Sequence, residues 1–239
     1  MTVGTVLVRL AIDPQLNIVR ERRQATFAVL SADLAELAVA GRIELRGNWL
    51  TERIVITDPR PTGEPLLDRS LAALKAAKRP DFGDWVREKL RCGVLEEYLS
   101  ALASQFEVLL YQRRVGGRFT RRLLTEATLL EPGRAARHRA LQRLAAYVAS
   151  PPPRTTSAAL LEWAFAGLAF EGDLATLIYP GRRHKDAYQC LRAAARAKPQ
   201  AGDPPAVAVI SAAIQAARTG ANEGYDRPAG PARARRPLR

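Results

Sequence analysis

Apolar residues recur at intervals of three and four along much of the chain, which is the spacing of one face of an α-helix. The first such row consists of Phe27, Leu30, Leu34 and Leu37. Gly41 follows this row at the position where a helix C-terminus favours glycine. A turn through Pro59, Pro61 and Gly63 precedes a second row, which consists of Leu66, Leu67, Leu71 and Leu74. The pattern predicts one helix at each row.

Two longer helices are predicted further along the chain. Asp84 suits the N-cap of a third helix that carries Trp85 and reaches Leu102, and Gly93 inside it is a candidate break. Pro132 stands near the first position of a fourth helix, which runs from Glu131 to about Ala149. Its apolar side consists of Leu141, Leu144 and Val148, and its other side carries Arg134, Arg137 and Arg143.

The segment SPPPRTT is a rigid connector that leads into a strongly apolar stretch. This stretch contains Leu160, Leu161, Trp163, Phe165, Leu168 and Phe170. Because it is apolar on nearly every side, it predicts a helix buried at the centre of the domain. Residues 182–197 then predict a basic helix, and residues 205–218 predict a terminal apolar helix.

Two β-hairpins are predicted among these helices. In residues 42–57, β-branched runs flank Arg46, Gly47 and Asn48, and residues 107–124 turn at Gly116 and Gly117. The N-terminal run VGTVLVRLAI leaves two interpretations open, since its β-branched content favours a strand and its length permits a helix. The expected fold class is therefore mainly α: a single compact helical domain around a buried central helix, with one or two peripheral β-hairpins.

Composition adds a strong basic excess to this picture. The chain has 239 residues and is 47% hydrophobic, so it can bury a substantial core. Lys and Arg number 37 against 24 Asp and Glu, which gives a net charge of +13 and predicts attraction to polyanions. Since only five of the cations are lysines, the arginine bias makes any single arginine weak evidence of a site.

A change in composition divides the chain at Arg218. Residues 218–239 are rich in Gly, Pro and Arg, and six arginines there oppose Glu223 and Asp226. This segment predicts a disordered basic tail that holds +4 of the net charge. Residues 1–217 form the expected helical domain, which holds the remaining +9.

Several classes of protein are disfavoured. No apolar run approaches the ~20 residues of a membrane-spanning helix, and the first residues lack a secretory signal pattern. Cys92 and Cys190 form no CxxC pair, which favours a reducing compartment. His138 and His184 have no His or Cys at metal-ligand spacing, and no nucleotide-binding or nucleophile motif is present. We therefore expect no enzyme, no cofactor and no metal.

Two segments are more specific than any of these patterns. One is ELAVAGRIEL at residues 36–45, and the other is DPRPTGEPLLD at residues 58–68. Together with Asp84-Trp85-Val86 and Leu160-Leu161, they resemble the Golgi phosphoprotein 3-like family, whose most recognisable motifs are this pair. The resemblance spans residues 5–217, and the arginine-biased composition points to a bacterial member.

The resemblance implies both a fold and a function. It implies a mostly helical domain around a buried central helix, with hairpins at its margin. Members in eukaryotes are peripheral membrane proteins that bind phosphatidylinositol 4-phosphate in a basic pocket and act as adaptors for Golgi glycosyltransferases. The expectation is thus a cytoplasmic protein on a membrane surface, with an anionic lipid and a membrane-protein client as partners. The family's self-association hairpin matches residues 107–124, which implies a homo-oligomer.

The family's lipid-binding positions are only partly kept in this sequence. Its Trp and first Arg fall near Glu21 and Leu30, and its second "LR..R" arginine falls on Val94 or Leu95. Arg91 matches the first arginine of that motif. The candidate lipid-binding residues are therefore Arg20, Arg22, Arg23, Arg87 and Arg91. Without the other groups, we expect binding driven by charge, with little recognition of headgroup shape.

The sequence leaves two questions open: the environment of Trp49 and an alternative function. Trp49, at the tip of the first hairpin, is either an interfacial anchor or packed against the neighbouring helix. The net charge and the basic tail also suit a phosphate backbone, and hairpin 42–57 after a helix resembles the wing of a winged helix. A nucleic-acid-binding protein is therefore the alternative function, although no recognition helix is apparent.

Overall fold

The computed structural model describes residues 2–46, 53–77, 85, 93–115, 122–179 and 184–222. The helices of these residues are α1 (Val3–Ala11), α2 (Arg22–Val39), α3 (Pro65–Ala76), α4 (Val94–Ser104), α5 (Glu131–Ala149), α6 (Ser157–Glu171), α7 (Leu174–Ile178), α8 (Lys185–Arg196) and α9 (Pro205–Asn222). The strands are β1 (Ile12–Asp13), β2 (Ile18–Val19), β3 (Ile43–Arg46), β4 (Arg53–Ile56), β5 (Val108–Val115) and β6 (Arg122–Leu129). They form three two-stranded antiparallel sheets. The mainly α fold class is confirmed.

Helix α6 is the buried central helix that its composition predicts. Every residue from 163 to 169 is buried, and α6 packs against α2, α8 and α9. The indole of Trp163 donates to the carbonyl oxygen of Ala194 at 2.9 Å, which gives its buried N–H a partner. At Gly167 an added Cβ would lie 2.6 Å from Ile214, so glycine permits the close approach of α6 and α9.

The ambiguous N-terminal run is a helix. Nine of its ten residues form α1, and all nine are buried because α2, α4, α5 and α6 cover the helix on different sides. The hydroxyl of Thr2 accepts a hydrogen bond from the backbone N–H of Thr5 at 3.2 Å and caps its first turn. Packing against these neighbours outweighs the strand preference of its β-branched residues.

The two predicted hairpins are present. In the first, Ile43 pairs with Ile56 and Arg46 with Arg53, while in the second Val108 pairs with Leu129. Their turns, with Trp49, Gly116 and Gly117, lie outside the described residues. A third pairing, of β1 with β2, was not predicted from the sequence, and it lies beside β6, where the N–H of Ala127 donates to the carbonyl of Asn17 at 2.9 Å.

The structure tests two predicted helix boundaries. The sequence predicts a third helix from Asp84 with Gly93 as a candidate break, and Gly93 does take the left-handed conformation at φ +69°, so that α4 begins at Val94. Trp85 is buried, and residues 86–92 lie outside the described part of the chain. Helix α9 continues through Asn222, beyond the predicted start of the tail at Arg218, since Arg218 is bonded to Glu171. Residues 223–239 are not among those described.

The apolar faces of α3 and α5 are shifted slightly from their predicted positions. Leu67 is buried in α3, while Leu66 beside it is half-buried. In α5, Leu144 is buried as expected, but Leu141 and Val148 are half-buried. The buried face of α5 consists of Gly133, Ala136, Ala140, Leu144 and Tyr147. Small residues therefore form most of that face, and a search for large apolar side chains misses them.

Candidate functional site

The β1–β2 hairpin and the start of α2 position three of the candidate arginines. The N–H of Arg20 donates to the carbonyl of Ala11 at 2.9 Å and fixes the chain just after β2. Glu21 then takes φ +45°, and this sharp turn directs the chain into α2 at Arg22. Arg20, Arg22 and Arg23 thus flank one turn, and we call them the α2 arginine group.

Arg20 is partly neutralised by Asp13. Its Nη1 lies 3.1 Å from Oδ2 of Asp13, and its side chain is 40% exposed. Hydrogen bonds from the backbone N–H groups of Leu16 and Gln15 lower the pKa of Asp13, so this carboxylate stays charged. Arg20 therefore presents part of its guanidinium to solvent and part to Asp13.

Arg22 and Arg23 differ in how much charge they present. Arg22 is paired with Glu96 of α4 at 2.5 Å, and its Nη1 lies 3.5 Å from the carbonyl oxygen of Thr125. The guanidinium of Arg23 lies 5.8 Å from the centre of the Phe27 ring and is exposed. It forms no ion pair with another described residue, so Arg23 is the most available cation of the group.

An exposed leucine lies on the same hairpin. Leu16 is 56% exposed in the turn between β1 and β2, and Asp13 accepts its N–H while pairing with Arg20. Sequence reasoning missed this feature, although Asp13-Pro14 followed by Asn17 is a pattern typical of turns. The turn places an apolar side chain close to cations, which is an arrangement that suits a lipid–water interface.

The remaining candidates lie at the start of the predicted third helix. Arg87 and Arg91 are outside the described residues. The Arg22–Glu96 ion pair brings the first turn of α4 beside the start of α2. Leu30 and Leu95, at two of the family's arginine positions, are 0% and 1% exposed, and Val94 is also buried. None of these three side chains can contact a ligand, and a family-type pocket of arginines is absent from the described residues.

The end of α9 lies next to this group. An added Cβ at Gly220 would lie 2.0 Å from Cε1 of Phe27, so the two helices are in direct contact there. Arg23 covers the same phenylalanine ring. The basic segment 223–239, with five arginines against Glu223 and Asp226, follows α9 in the sequence from this point.

Glu96 also lines a cavity of about 780 Å³. Its charged lining includes Arg9, paired with Glu107, and Arg69, paired with Glu97 at 2.8 Å. Glu96 itself is 53% exposed, which agrees with the solvated face predicted for the Glu96-Glu97 pair. Because these carboxylates are held by arginines, the cavity offers no free acid and base pair.

The described ranges contain neither a metal site nor a membrane-spanning helix. Nowhere in them do three or more His, Cys, Asp or Glu side chains come together as a metal site would require. His138 is exposed, with its Nε2 3.1 Å from the Gln142 amide nitrogen. Within the same ranges, every helix is too short or too polar to cross a bilayer.

A family model described as Golgi phosphoprotein 3 (GPP34) matches residues 7–217. The match covers α2 to α8 completely, most of α1 and most of α9. No curated protein matches the chain.

Proposed function

Since the chain belongs to the Golgi phosphoprotein 3 family, we propose that it is a peripheral membrane protein that binds anionic lipids through the α2 arginine group. The family is one of non-enzymatic lipid-binding and adaptor proteins. The main support for the proposal is that Asp13 holds Arg20 and Leu16 together: it pairs with the Arg20 side chain and accepts a hydrogen bond from the backbone N–H of Leu16. One short hairpin thereby offers both a cation and an apolar side chain to a membrane.

Electrostatic attraction is expected to supply most of the free energy of membrane binding. Each arginine near an anionic leaflet contributes ~1 kcal/mol to binding. The contributions of Arg20 and Arg22 are smaller, because Asp13 and Glu96 already neutralise part of their charge. Arg23 has no such competitor among the described residues. Leu16 adds a hydrophobic contribution wherever its side chain enters the interface. We propose that Arg87, Arg91 and the basic segment 223–239 extend the same surface.

The proposed binding has little headgroup stereochemistry. Phosphatidylinositol 4-phosphate, the family's lipid, is expected to bind here chiefly as a highly charged anion. The support is that Leu30, Val94 and Leu95 are buried and apolar at the positions of the family's arginines. Such binding weakens steeply with salt, because exposed charges are screened beyond ~8 Å at physiological ionic strength.

The family also supports an adaptor role on the cytoplasmic face of a membrane, with a membrane-protein client. Self-association through the β5–β6 hairpin belongs to the same proposal. Leu109 and Tyr111 on β5 are 42% and 52% exposed, and unpartnered apolar side chains on a strand favour contact with a second copy. Sedimentation of the wild type and of Leu109→Ser/Tyr111→Ser tests this, and equal oligomer size in both would contradict it.

Vesicle co-sedimentation at low and high salt tests the lipid proposal. The variant Arg20→Gln/Arg22→Gln/Arg23→Gln, with and without Arg91→Gln, is compared with the wild type on phosphatidylcholine vesicles carrying phosphatidylserine or phosphatidylinositol 4-phosphate. A control with the same loss of charge is Arg60→Gln/Lys185→Gln/Arg192→Gln, whose residues lie on other elements. We expect the first variant to bind much more weakly at low salt and the control to bind nearly as the wild type does.

Three outcomes would count against the proposal. Equal loss in both triple variants would mean that net charge alone drives adsorption. A preference for neutral vesicles would exclude the membrane function. Tighter binding to duplex DNA than to anionic vesicles at matched salt would favour the nucleic-acid alternative.

A further inference from the structure

A second group of cations surrounds a cavity of about 330 Å³ between the end of α8 and the second half of α9. The polar side chains that line it are those of Arg196, Lys198, Ser211, Gln215 and Arg218. These residues lie on elements other than α2 and α4, which carry the arginine positions that the family resemblance implies. None of the three arginines of the α2 group lines the cavity, although the end of α9 also contacts Phe27 beside that group.

The sequence places these side chains together for simple geometric reasons. Ser211, Gln215 and Arg218 are spaced by four and three residues and so lie on one face of α9. Arg196 is the last residue of α8, and Lys198 follows two residues later. The small residues Ala195 and Ala197 leave the space between the two elements open.

Arg218 is held rigidly at the edge of this space. Its Nε donates to Oε1 of Glu171 at 2.8 Å, and its Nη2 donates to the carbonyl oxygen of Ala195 at 2.8 Å. Its Nη1 makes no hydrogen bond to another described residue. One edge of the guanidinium is thus used to fix its position, and donor capacity remains.

The other four side chains have no partner within the described part of the chain. Arg196 and Lys198 are exposed and form no ion pair there. Burial raises the pKa of the Glu171 carboxyl, and the ion pair with Arg218 and the charge of nearby Arg196 only partly offset this rise. The Ser211 hydroxyl and the Gln215 amide likewise make no side-chain hydrogen bond to a described residue. The lining therefore has three cations, of which Arg218 is paired with Glu171, and two neutral groups that can donate.

Cations at a helix C-terminus often serve only to complement the helix dipole. Here the last carbonyl groups of α8 already have donors. The carbonyl of Ala194 accepts from Trp163, that of Ala195 accepts from Arg218, and that of Lys198, just beyond, accepts from Arg154 at 3.3 Å. Interaction with the dipole of α8 would also not explain why Ser211 and Gln215 of α9 face the same cavity.

We propose that this cavity binds a phosphate monoester group. Such a group carries close to two negative charges and three acceptor oxygens, which matches three cations and two neutral donors. A guanidinium whose orientation is already fixed loses little freedom on binding a phosphate. The phosphate can belong to a lipid headgroup or to a small molecule in solution, and the experiment separates these two sources.

The test uses inorganic phosphate and vesicles that contain phosphatidic acid as probes. Phosphate is titrated into the full chain at constant ionic strength, and backbone amide resonances are followed by NMR. Saturable shifts are expected at residues that line the cavity. The variant Arg196→Gln/Lys198→Gln is expected to weaken this binding about tenfold. The control Lys185→Gln/Arg192→Gln removes the same charge from α8, at residues that do not line the cavity, and is expected to bind as the wild type does.

A variant without a charge change makes the test independent of net charge. Ser211→Ala/Gln215→Ala is expected to weaken phosphate binding about threefold to tenfold while it leaves the net charge unaltered. If only the vesicle arm loses binding in the site variants, the phosphate is that of a lipid. If only the solution arm does, it is that of a small molecule.

The proposal is overturned if neither free phosphate nor the phosphatidic acid vesicles show saturable binding that the site variants weaken, or if the site and control variants lose affinity equally in both arms. The Arg20→Gln/Arg22→Gln/Arg23→Gln protein keeps the cavity intact and should bind phosphate normally. A failure of the proposed lipid-binding surface would thus leave this result unchanged.

Discussion

Arg9 and Glu107 form a two-point ion pair between α1 and the residue that precedes β5. The Nε and Nη2 atoms of Arg9 lie 2.6 and 2.8 Å from the two carboxylate oxygens of Glu107. The Arg9 side chain is only 3% exposed, and that of Glu107 is 14% exposed. The carbonyl of Glu107 also accepts the N–H of Leu130, so this residue joins α1 to both ends of the β5–β6 hairpin.

Removing one member of this pair should destabilise the fold strongly. Glu107→Gln leaves a buried guanidinium without a counter-charge, and its Nη1 already lacks a hydrogen-bond partner among the described residues. Loss of one partner of a buried ion pair costs ~3–5 kcal/mol. The midpoint of urea unfolding checks this value. Glu131→Gln is the control, because its exposed pair with Arg134 should contribute less than ~1 kcal/mol, and equal midpoints for the two variants would contradict the prediction.

The central helix gives a second prediction. Trp163 is 1% exposed, and the guanidinium of Arg154 lies 4.8 Å from the centre of its ring system. Trp163→Ala should lower the free energy of unfolding by ~3–5 kcal/mol because it leaves a large cavity. Trp163→Phe fills most of that space but loses the donor to Ala194, and it should cost ~1–3 kcal/mol. Thermal unfolding of both variants measures the difference, and a melting temperature unchanged by Trp163→Ala would remove this residue from the core.

The elements that the sequence predicts well are those whose pattern is local. Phe27, Leu30, Leu34 and Leu37 are all buried in α2, as their spacing indicates. Nearly all side chains of α6 are apolar, so its composition alone predicts that it is buried, without knowledge of the elements that cover it. The pattern for α1 is ambiguous because its β-branched residues favour a strand, and tertiary packing decides in favour of the helix. The two-residue strands β1 and β2 are too short to produce an alternation.

The candidate site could be predicted only in part, for a different reason. The sequence shows that Arg20, Arg22 and Arg23 are close together, but it does not show what neutralises them. Arg22 pairs with a residue 74 positions away, and a single sequence carries no record of such a contact. The unpaired cations of the α8–α9 cavity went unnoticed for the same reason, because arginines are common throughout this chain.

A third prediction concerns the turn before α3. Gly63 has φ +86°, and an added Cβ would meet no atom within 4 Å. Any cost of substitution is therefore backbone strain, and not a clash. Gly63→Ala should lower the free energy of unfolding by ~1–2 kcal/mol, while Gly63→Asn should cost less, because asparagine tolerates the left-handed region. Chemical denaturation of the two variants tests the order, and an alanine variant as stable as the wild type would show that the glycine is incidental.

Two buried carboxyl groups predict how stability depends on pH. Burial raises the pKa of Asp33 to about 7, although Ser70 and Tyr98 donate hydrogen bonds to it. Burial likewise raises the pKa of Glu36 to about 7. In the unfolded chain these groups titrate near ~4, so the folded state holds extra protons between about pH 4 and pH 7. The free energy of unfolding should therefore fall as the pH rises through this range, by up to ~1.4 kcal/mol per pH unit for each carboxyl.

Asp33→Asn isolates one of these two groups. The amide oxygen can still accept from Tyr98, the amide NH2 at the other position can donate to the Ser70 hydroxyl, and the side chain no longer titrates. Relative to the wild type, this variant should gain stability between about pH 5 and pH 8. Urea unfolding at both pH values measures the change, with the exposed Asp173→Asn as control. The same pH dependence in the wild type and Asp33→Asn would show that Asp33 is not the group responsible.

The last prediction separates the apolar part of the proposed membrane contact from the charged part. Leu16→Ser should weaken binding to anionic vesicles about fivefold, because partial burial of a leucine is worth on the order of 1 kcal/mol. Leu16→Trp should strengthen it, since tryptophan favours the interface, and a gain cannot result from a damaged fold. Both effects should persist at high salt, whereas the difference between wild type and Arg23→Gln should shrink as charges are screened. Vesicle titrations at two salt concentrations measure all three variants, and equal affinity of the serine, leucine and tryptophan proteins would exclude Leu16 from the contact.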